Sequence, residues 1–150
     1  MAKVEDIMTS NVASVVPSAP IVEVALKMRE SGLGMMPVCE NGKLRGMISE
    51  RSIISNVVAF ARNPKREHAR TLMYNGGPRI QPGCDIVEAA KLMAIHHVHC
   101  LPVVQNGGQL AGLLTLNDII KENPMLASMV LAKVDASTGH SNGTRKKPEP

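Results

Sequence analysis

Hydrophobic and polar positions follow the same order twice along the chain. Apolar residues recur three and four positions apart in "IVEVALKM" (Ile21–Met28) and again in "IVEAAKLM" (Ile86–Met93), the stripe of an amphipathic helix. A short extended stretch, "SVVP" or "RIQP", precedes each segment. Its proline blocks further pairing because proline has no N–H for a sheet ladder.

Two apolar strands are predicted after each of these helices. "MMPVCE" and "KLRGMIS" flank Asn41-Gly42, whereas "CLPVVQ" and "QLAGLLT" flank Asn106-Gly107-Gly108, and such turn residues are strong hairpin signals. A second helix follows at "ERSIISNVVA" and at "LNDIIKEN". Each unit therefore runs strand, helix, strand, strand, helix, which predicts an α+β fold made of two β-α-β-β-α repeats.

The repeat has a nearly constant offset. Corresponding residues lie 65 positions apart up to the hairpins and 66 after them, because "NGGQ" holds one extra residue. Units of this size have too little core to fold alone, so the two sheets are expected to pack together with pseudo-two-fold symmetry. The predicted boundaries are repeat 1 with its connecting segment at 1–66, repeat 2 at 67–122, a C-terminal helix at 123–134 and a disordered tail at 135–150. Asn123 followed by Pro124 predicts the cap of that helix.

Composition narrows the possible functions. The chain has no Trp, one Tyr and one Phe against ten Met, so the core is expected to be aliphatic with Met filling its gaps, and base stacking on nucleic acid is disfavoured. The net charge of +4 is modest and lies partly in "ARNPKREHAR" (Ala61–Arg70). That segment is interpreted either as a solvated connection or as a loop that closes over phosphates with Lys65, Arg66 or Arg70.

Cysteine usage and hydropathy bear on the cellular compartment and on membrane insertion. Three cysteines without regular spacing, no charged-then-apolar leader and no apolar run of membrane length predict a soluble cytoplasmic protein that does not enter a membrane. Neither a phosphate-cradling G-x-x-x-x-G-K nor a recognisable nucleophile triad is present, so we expect no enzymatic activity.

One motif carries candidate chemistry. "GLLTLNDII" (Gly112–Ile120) pairs Thr115 with Asp118, and its earlier copy "GMISERSII" pairs Ser49 with Ser52. Thr115 at the N-cap with Asp118 three residues later resembles a capping box and suits the helix dipole. A carboxylate in this place is also able to accept hydrogen bonds from both hydroxyls of a ribose. The two roles are compatible.

These features together resemble a tandem pair of CBS domains, the modules named after cystathionine beta-synthase. The resemblance covers roughly residues 4–122 and rests on "IM" or "LM" at each entry, the first helix, hydrophobic-Pro-Val, the Gly turn and G-h-h-[ST]-x-x-[DS], twice in order. It implies a pseudo-symmetric disc-like unit with two clefts. It also implies that the clefts bind adenosine-containing ligands and that two units form a homodimer.

The resemblance also implies which residues line the site. Thr115 and Asp118 match the family's ribose-holding hydroxyl and acid, whereas Ser52 departs from the acid, so one good nucleotide site is expected. The predicted ligand-binding residues of that site are Thr115, Asn117, Asp118, His99, Cys100, Val16, Ser18, Ala19 and Pro20. A weaker second cleft is expected at Ser49, Ser52, Gly34 and Met35.

The favoured hypothesis is a non-catalytic regulatory module that binds AMP, ADP or ATP and signals to an unidentified protein partner. One alternative is a structural or interaction dimer whose clefts are vestigial. Another is a metal or redox sensor that uses the cluster from His96 to Cys100, since imidazole and thiolate are good zinc ligands. The spacing of this cluster argues against that alternative, and no metal site is predicted.

Overall fold

The computed structural model describes the backbone of residues 1–144 and the side chains of residues 1–134. Its helices and strands are, in chain order, α1 (Val4–Ile7), α2 (Ile21–Ser31), β1 (Met35–Glu40), β2 (Lys43–Ser49), α3 (Glu50–Ile53) with a π-helical continuation (Ile54–Val58), α4 (Ala69–Leu72), α5 (Ile86–His96), β3 (Cys100–Val104), β4 (Leu110–Thr115), α6 (Leu116–Glu122) and α7 (Pro124–Thr144). The predicted α+β class is confirmed.

Each repeat contributes one antiparallel hairpin. Strand β1 pairs with β2 and strand β3 pairs with β4, and both hairpins shift register near the end of their first strand. The predicted extended stretch before each long helix is reduced to a single parallel bridge, Val15 to Val38 and Ile80 to Val103. The prolines that follow explain this brevity, since they remove the next ladder donor.

The segments that lead into each repeat, α1 with the residues after it and α4 with the residues after it, each pack against the other repeat in sequence order. We call them the entry segments. Val4 of α1 is buried in the core of the second repeat, and Thr9 forms an antiparallel bridge to Leu113 of β4. In the mirror arrangement, Ala69 of α4 is buried in the first repeat's core and Tyr74 pairs with Met47 of β2. The predicted boundary between residues 66 and 67 therefore separates the sequence repeats but not the packing units.

The sheets of the two repeats pack against each other, as predicted. Cys39, Leu44 and Met47 from the first repeat form one buried cluster with Val104 and Leu113 from the second. The two hairpin turns are also joined by backbone bonds, from Leu44 N to Gly108 O (2.9 Å) and from Leu110 N to Gly42 O (3.2 Å). The halves thus share a core that neither repeat contains alone.

Helix α7 completes the second repeat. Asn123 caps it as predicted, accepting a hydrogen bond at Oδ1 from Leu126 N (3.1 Å). Ala127, Val130 and Val134 are buried in the same core as helices α5 and α6. The helix extends to Thr144, past the predicted end at residue 134, and its interior holds no proline that would break it. The rest of the predicted disordered tail, 145–150, lies outside the described residues.

Helices α2 and α5 both end in the left-handed conformation, but at different residue types. Gly32 terminates α2 in the left-handed conformation with φ 72°, whereas α5 ends with His97 at φ 55°. A residue with a Cβ is strained in this region and glycine is not. We expect His97→Gly to raise the free energy of unfolding by about 0.5–1 kcal/mol.

This expectation is checked by denaturant unfolding of the ligand-free protein. Gly32→Ala, which introduces a Cβ at the equivalent position, is the matched control and should destabilise by a similar amount. A loss of stability in His97→Gly would mean that contacts of the imidazole outweigh the backbone strain.

Candidate functional site

A cavity of about 710 Å³ opens between the two repeats. Both repeats, the segment that joins them and helix α7 supply its walls. The lining residues are Leu33, Gly34, Met35, Ser49, Arg51, Tyr74, His97, Val98, His99, Cys100, Thr115, Leu116, Asn117, Ile120, Leu131 and Val134. We call this cavity the central cleft.

Thr115 and Asp118 form the predicted capping box at the start of α6. Thr115 Oγ1 accepts a hydrogen bond from Asp118 N (3.2 Å), and Asp118 Oδ2 accepts one from Thr115 N (2.8 Å). Asp118 is not itself a lining residue, but its carboxylate lies close enough to Cys100 to affect that thiol. One carboxylate oxygen serves the cap, so the other lies outside this pair of bonds.

The equivalent cap in the first repeat is incomplete. Ser49 Oγ accepts from Ser52 N (3.1 Å), but no reciprocal side-chain bond completes a box. Asn56 instead donates to Ser52 Oγ (3.2 Å) and to Ser52 O (3.0 Å). The helix then continues as a π-helix from Ile54 to Val58 rather than as the regular helix expected from the sequence. The predicted inequality of the two motifs is therefore visible in their hydrogen bonding.

The starts of strands β1 and β3 are brought to the central cleft. Met35 pairs with Ser49, and Cys100 pairs with Thr115, so each strand start lies beside its own helix cap. A bond from Leu116 N to His99 O (2.7 Å) fixes the second of these junctions. Gly34, Met35 and Ser49, assigned to a separate second cleft from the sequence, thus line the same cavity as His99, Cys100 and Thr115, because the pseudo-two-fold relation brings both strand starts to the same place. Ser52, predicted for the second cleft, is not among the lining residues.

The stretch from Val16 to Pro20, predicted to lie beside the ribose-binding motif, is not among the lining residues of the central cleft. Val16 and Ser18 line a different cavity of about 470 Å³, together with Arg45 and Arg70. Ala19 is buried in the first core, and Pro20 precedes α2 and pairs with His68.

Local hydrogen bonds explain the displacement of this stretch. The connecting segment bonds directly to it, from Ala69 N to Ala19 O (2.8 Å) and from Arg70 N to Pro17 O (2.9 Å). The same bonds hold Arg70 at that second cavity. Lys65 and Arg66 are exposed and do not line the central cleft, so the interpretation of this segment as a solvated connection agrees better with the structure.

Sequence reasoning missed Arg51 and Tyr74, which both line the central cleft. Arg51 lies inside the motif at the position equivalent to Asn117, and that equivalence is the signal in the sequence that points to it. Tyr74 is the sole tyrosine and directly follows the second "LM" entry, which was an available signal. Burial, and then the neighbouring Cys100 thiol, raise the pKa of Tyr74, so its hydroxyl stays protonated and available as a donor.

The thiol of Cys100 is poorly suited to redox sensing. Burial, and then the Asp118 carboxylate, raise the pKa of Cys100 to about 12, and a protonated thiol is a weak nucleophile and metal ligand. Within residues 1–134, no group of three or more His, Cys, Asp or Glu side chains is placed to hold a metal ion. The cluster from His96 to Cys100 therefore offers no ligand set in the described part of the chain.

The charge of the central cleft is one-sided. Arg51 lines it, His97 and His99 add imidazoles, and the described residues of its lining include no Asp or Glu. Ser49, Thr115 and Asn117 add neutral polar groups. Such a wall favours an anionic ligand with several hydrogen-bonding groups. No helix of the described chain is both long and apolar enough to cross a membrane.

Known proteins resemble this chain over most of its length. YhcV of Bacillus subtilis, a CBS domain-containing protein, is 34% identical over 122 residues, covering 79% of this chain and 84% of the relative. The uncharacterized protein MK0525 of Methanopyrus kandleri is 33% identical over 115 residues. The match covers 76% of this chain but only 59% of that relative.

Solved structures show the same fold. The crystal structure of Hypoxic Response Protein I with two coordinated zinc ions has a TM-score of 0.73 at 27% identity and covers 80% of this chain and 98% of that one. CBSX2 in complex with AMP has a TM-score of 0.72 at 21% identity, with coverage of 84% and 98%.

The family model of the CBS domain matches twice, at residues 4–59 and 70–124. These two matches coincide with the two repeats and span the helices and hairpins that surround the central cleft. The chain belongs to the CBS-domain family and carries the domain as a tandem pair.

Proposed function

We propose that this protein is a non-catalytic regulatory module that binds an adenosine-containing nucleotide, AMP, ADP or ATP, in the central cleft. The observation that carries the proposal is the Thr115–Asp118 pair at the edge of a cavity whose charged lining side chain is Arg51. A volume of about 710 Å³ lies in the range of small-molecule sites. AMP is held by the same fold in CBSX2.

The ribose is assigned to the second repeat's motif. Asp118 uses Oδ2 for the helix cap, which leaves its other oxygen to accept from a ribose hydroxyl. Asn117, exposed on the first turn of α6, supplies a side-chain amide that can both donate and accept. The cap holds the carboxylate in place before the ligand arrives, which reduces the ordering cost of binding.

The phosphate is assigned to the opposite wall. Arg51 projects from the first repeat's motif, and His97 and His99 come from the end of α5 and the start of β3. A guanidinium forms paired hydrogen bonds with phosphate oxygens. In this assignment Asp118 of the second repeat binds the ribose, and Arg51 of the first repeat binds the phosphate.

The adenine is assigned to Tyr74. Tyr74 is 42% exposed and lines the cleft, so we assign its ring as the surface on which the base stacks. This use of one aromatic ring differs from nucleic-acid binding, where successive bases need successive rings.

Titration calorimetry with AMP, ADP, ATP, adenosine and S-adenosylmethionine tests the proposed function. We expect AMP to bind at one site per chain and more tightly than uncharged adenosine. Folded protein that gives no heat with any of these compounds would leave the alternative of an interaction dimer with vestigial clefts.

Arg51→Gln tests the phosphate assignment separately. Loss of one charged hydrogen-bonding partner should weaken AMP binding by roughly 10-fold or more, whereas adenosine, which lacks the phosphate, should bind as before. Arg45→Gln, at the second cavity, is the matched control and should leave AMP binding unchanged. Equal weakening of AMP and adenosine would contradict the assignment.

Signalling to a protein partner is proposed through α7. Leu131 and Val134 of this helix line the cleft, so a bound nucleotide would contact the helix directly. A ligand that prefers one placement of α7 would shift the population toward it.

We further propose that the protein is a homodimer. Zinc sensing is not proposed, because the described side chains form no ligand set.

A further inference from the structure

The second cavity, of about 470 Å³, shares no lining residue with the central cleft. It lies beside the core of the first repeat, since Met73, one of its apolar lining residues, packs against that core. Two arginines, Arg45 and Arg70, line it together with the Ser18 hydroxyl and the Glu40 carboxylate. The two arginines come from different elements, β2 and α4.

Arg45 occupies a β-bulge. The pairing of β1 with β2 shifts register between Val38 and Cys39, so Arg45 has no partner residue on β1. A bulge changes the direction of a side chain, and bulges are common next to binding sites. The bulge therefore accounts for the position of Arg45 at the cavity rather than in the regular alternation of the strand.

Arg70 is held at the cavity by its own backbone. Its N–H donates to Pro17 O (2.9 Å), which fixes the start of α4 against the residues that precede α2. Among the side chains of residues 1–134, neither Arg45 nor Arg70 forms an ion pair, although Glu40 lines the same cavity. Both guanidinium groups are therefore available to a ligand.

The second repeat contains the same backbone frame. Glu5 N donates to Pro82 O (3.0 Å), as Arg70 N does to Pro17 O. The pairing of β3 with β4 shifts register between Val103 and Val104, which leaves Ala111 without a partner.

The side chains on this frame differ between the repeats. Ala111 stands at the position equivalent to Arg45, and Glu5 at the position equivalent to Arg70. Because the second repeat forms the bulge and the backbone bond with an alanine and a glutamate, the fold does not require a cation at either place. A common anionic ligand accounts for both arginines of the first repeat.

We propose that the second cavity binds the oxyanion group, phosphate or carboxylate, of a small metabolite. The guanidinium groups of Arg45 and Arg70 each donate paired hydrogen bonds to such a group, and the Ser18 hydroxyl adds a donor. Glu40 accepts from a hydroxyl or amino group on the rest of the ligand. The inference does not rest on nucleotide binding in the central cleft.

Amide chemical shifts of the full chain, recorded during titration with inorganic phosphate or acetate at constant ionic strength, test this inference. We expect saturable shifts at the amides of Ser18, Arg45 and Arg70. The anion that binds more tightly identifies the group that the cavity prefers. Because inorganic phosphate is also expected to reach Arg51, the titration is repeated in the Arg51→Gln protein, where the same three amides should still respond.

Exchanging the arginines for the residues of the second repeat removes the proposed site. Arg45→Ala combined with Arg70→Glu should abolish the saturable shifts, and the second repeat shows that the backbone frame forms with these residues. Arg66→Gln is the matched control, because Arg66 is exposed on the same connecting segment but does not line the cavity. Its phosphate affinity should equal that of the wild type.

Glu40→Gln should change affinity in the opposite direction. Removing the carboxylate removes its repulsion of a simple anion, so inorganic phosphate should bind roughly two- to fivefold more tightly. Weaker phosphate binding in this variant would contradict the placement of Glu40 beside the bound anion.

Three results would overturn the proposal. They are the absence of saturable shifts at Ser18, Arg45 and Arg70 with either anion, their loss in the Arg51→Gln protein, and equal weakening by Arg66→Gln and by the double variant. A protein that shows these shifts but binds no AMP would contradict the proposed function and leave the oxyanion site supported.

Discussion

Asp118→Ala is expected to lower the affinity for AMP by roughly 100-fold or more while reducing the free energy of unfolding by only about 1 kcal/mol. The large effect follows from removing a charged acceptor for the ribose hydroxyls. The small one follows from losing the bond between Asp118 Oδ2 and Thr115 N, which is one helix-cap bond on a partly exposed helix end. Titration calorimetry and denaturant unfolding measure the two quantities on the same protein.

Two further variants separate binding from capping. Asp118→Asn keeps an oxygen that can accept from Thr115 N but loses the charge, so it should retain stability and still bind AMP weakly. Ser52→Ala, at the equivalent position of the first repeat, should change AMP affinity little, because its hydroxyl is already engaged with Asn56. If the Asp118→Ala protein is destabilised but binds AMP normally, Asp118 acts only as a helix cap and does not bind the ligand.

Gly112→Ala is expected to destabilise the protein by about 3 kcal/mol. A Cβ at Gly112 would lie 2.5 Å from the carbonyl oxygen of Thr9 and 3.0 Å from Met8 Sδ. Thr9 and Leu113 exchange two backbone hydrogen bonds at this crossing, of 2.9 and 3.0 Å. The backbone cannot move aside without breaking them, and chemical denaturation would measure the loss.

The matched control for this variant is Gly83→Ala. A Cβ at Gly83 meets nothing within 4 Å and the residue does not have a positive φ, so its stability should stay within about 0.5 kcal/mol of the wild type. Gly46→Ala should resemble Gly112→Ala, because its Cβ would lie 2.8 Å from Tyr74 O. Tolerance of alanine at Gly112 would show that the entry segment is not held against β4.

The candidate site divides into residues that sequence could and could not supply. Thr115 and Asp118 were predicted because capping involves residues three apart on one helix start. Arg51 was missed because its cleft-facing position depends on where the first repeat's helix lies relative to the second repeat. Val16 and Ser18 line another cavity because their neighbours Pro17 and Ala19 accept backbone bonds from the connecting segment, which no local pattern encodes.

The sequence by itself determined the repeats, the amphipathic helices α2 and α5, the two hairpins, the Asn123 cap and the unequal motifs at Asp118 and Ser52. All of these depend on interactions between residues a few positions apart, which periodicity and turn chemistry express directly. Only the tertiary structure decided that each entry segment is buried in the core of the other repeat, that both motifs border one cavity and that α7 covers a single repeat. These outcomes depend on contacts between residues far apart in the chain, such as Thr9 with Leu113, and apolar patterning identifies the faces that become buried without specifying which partners cover them.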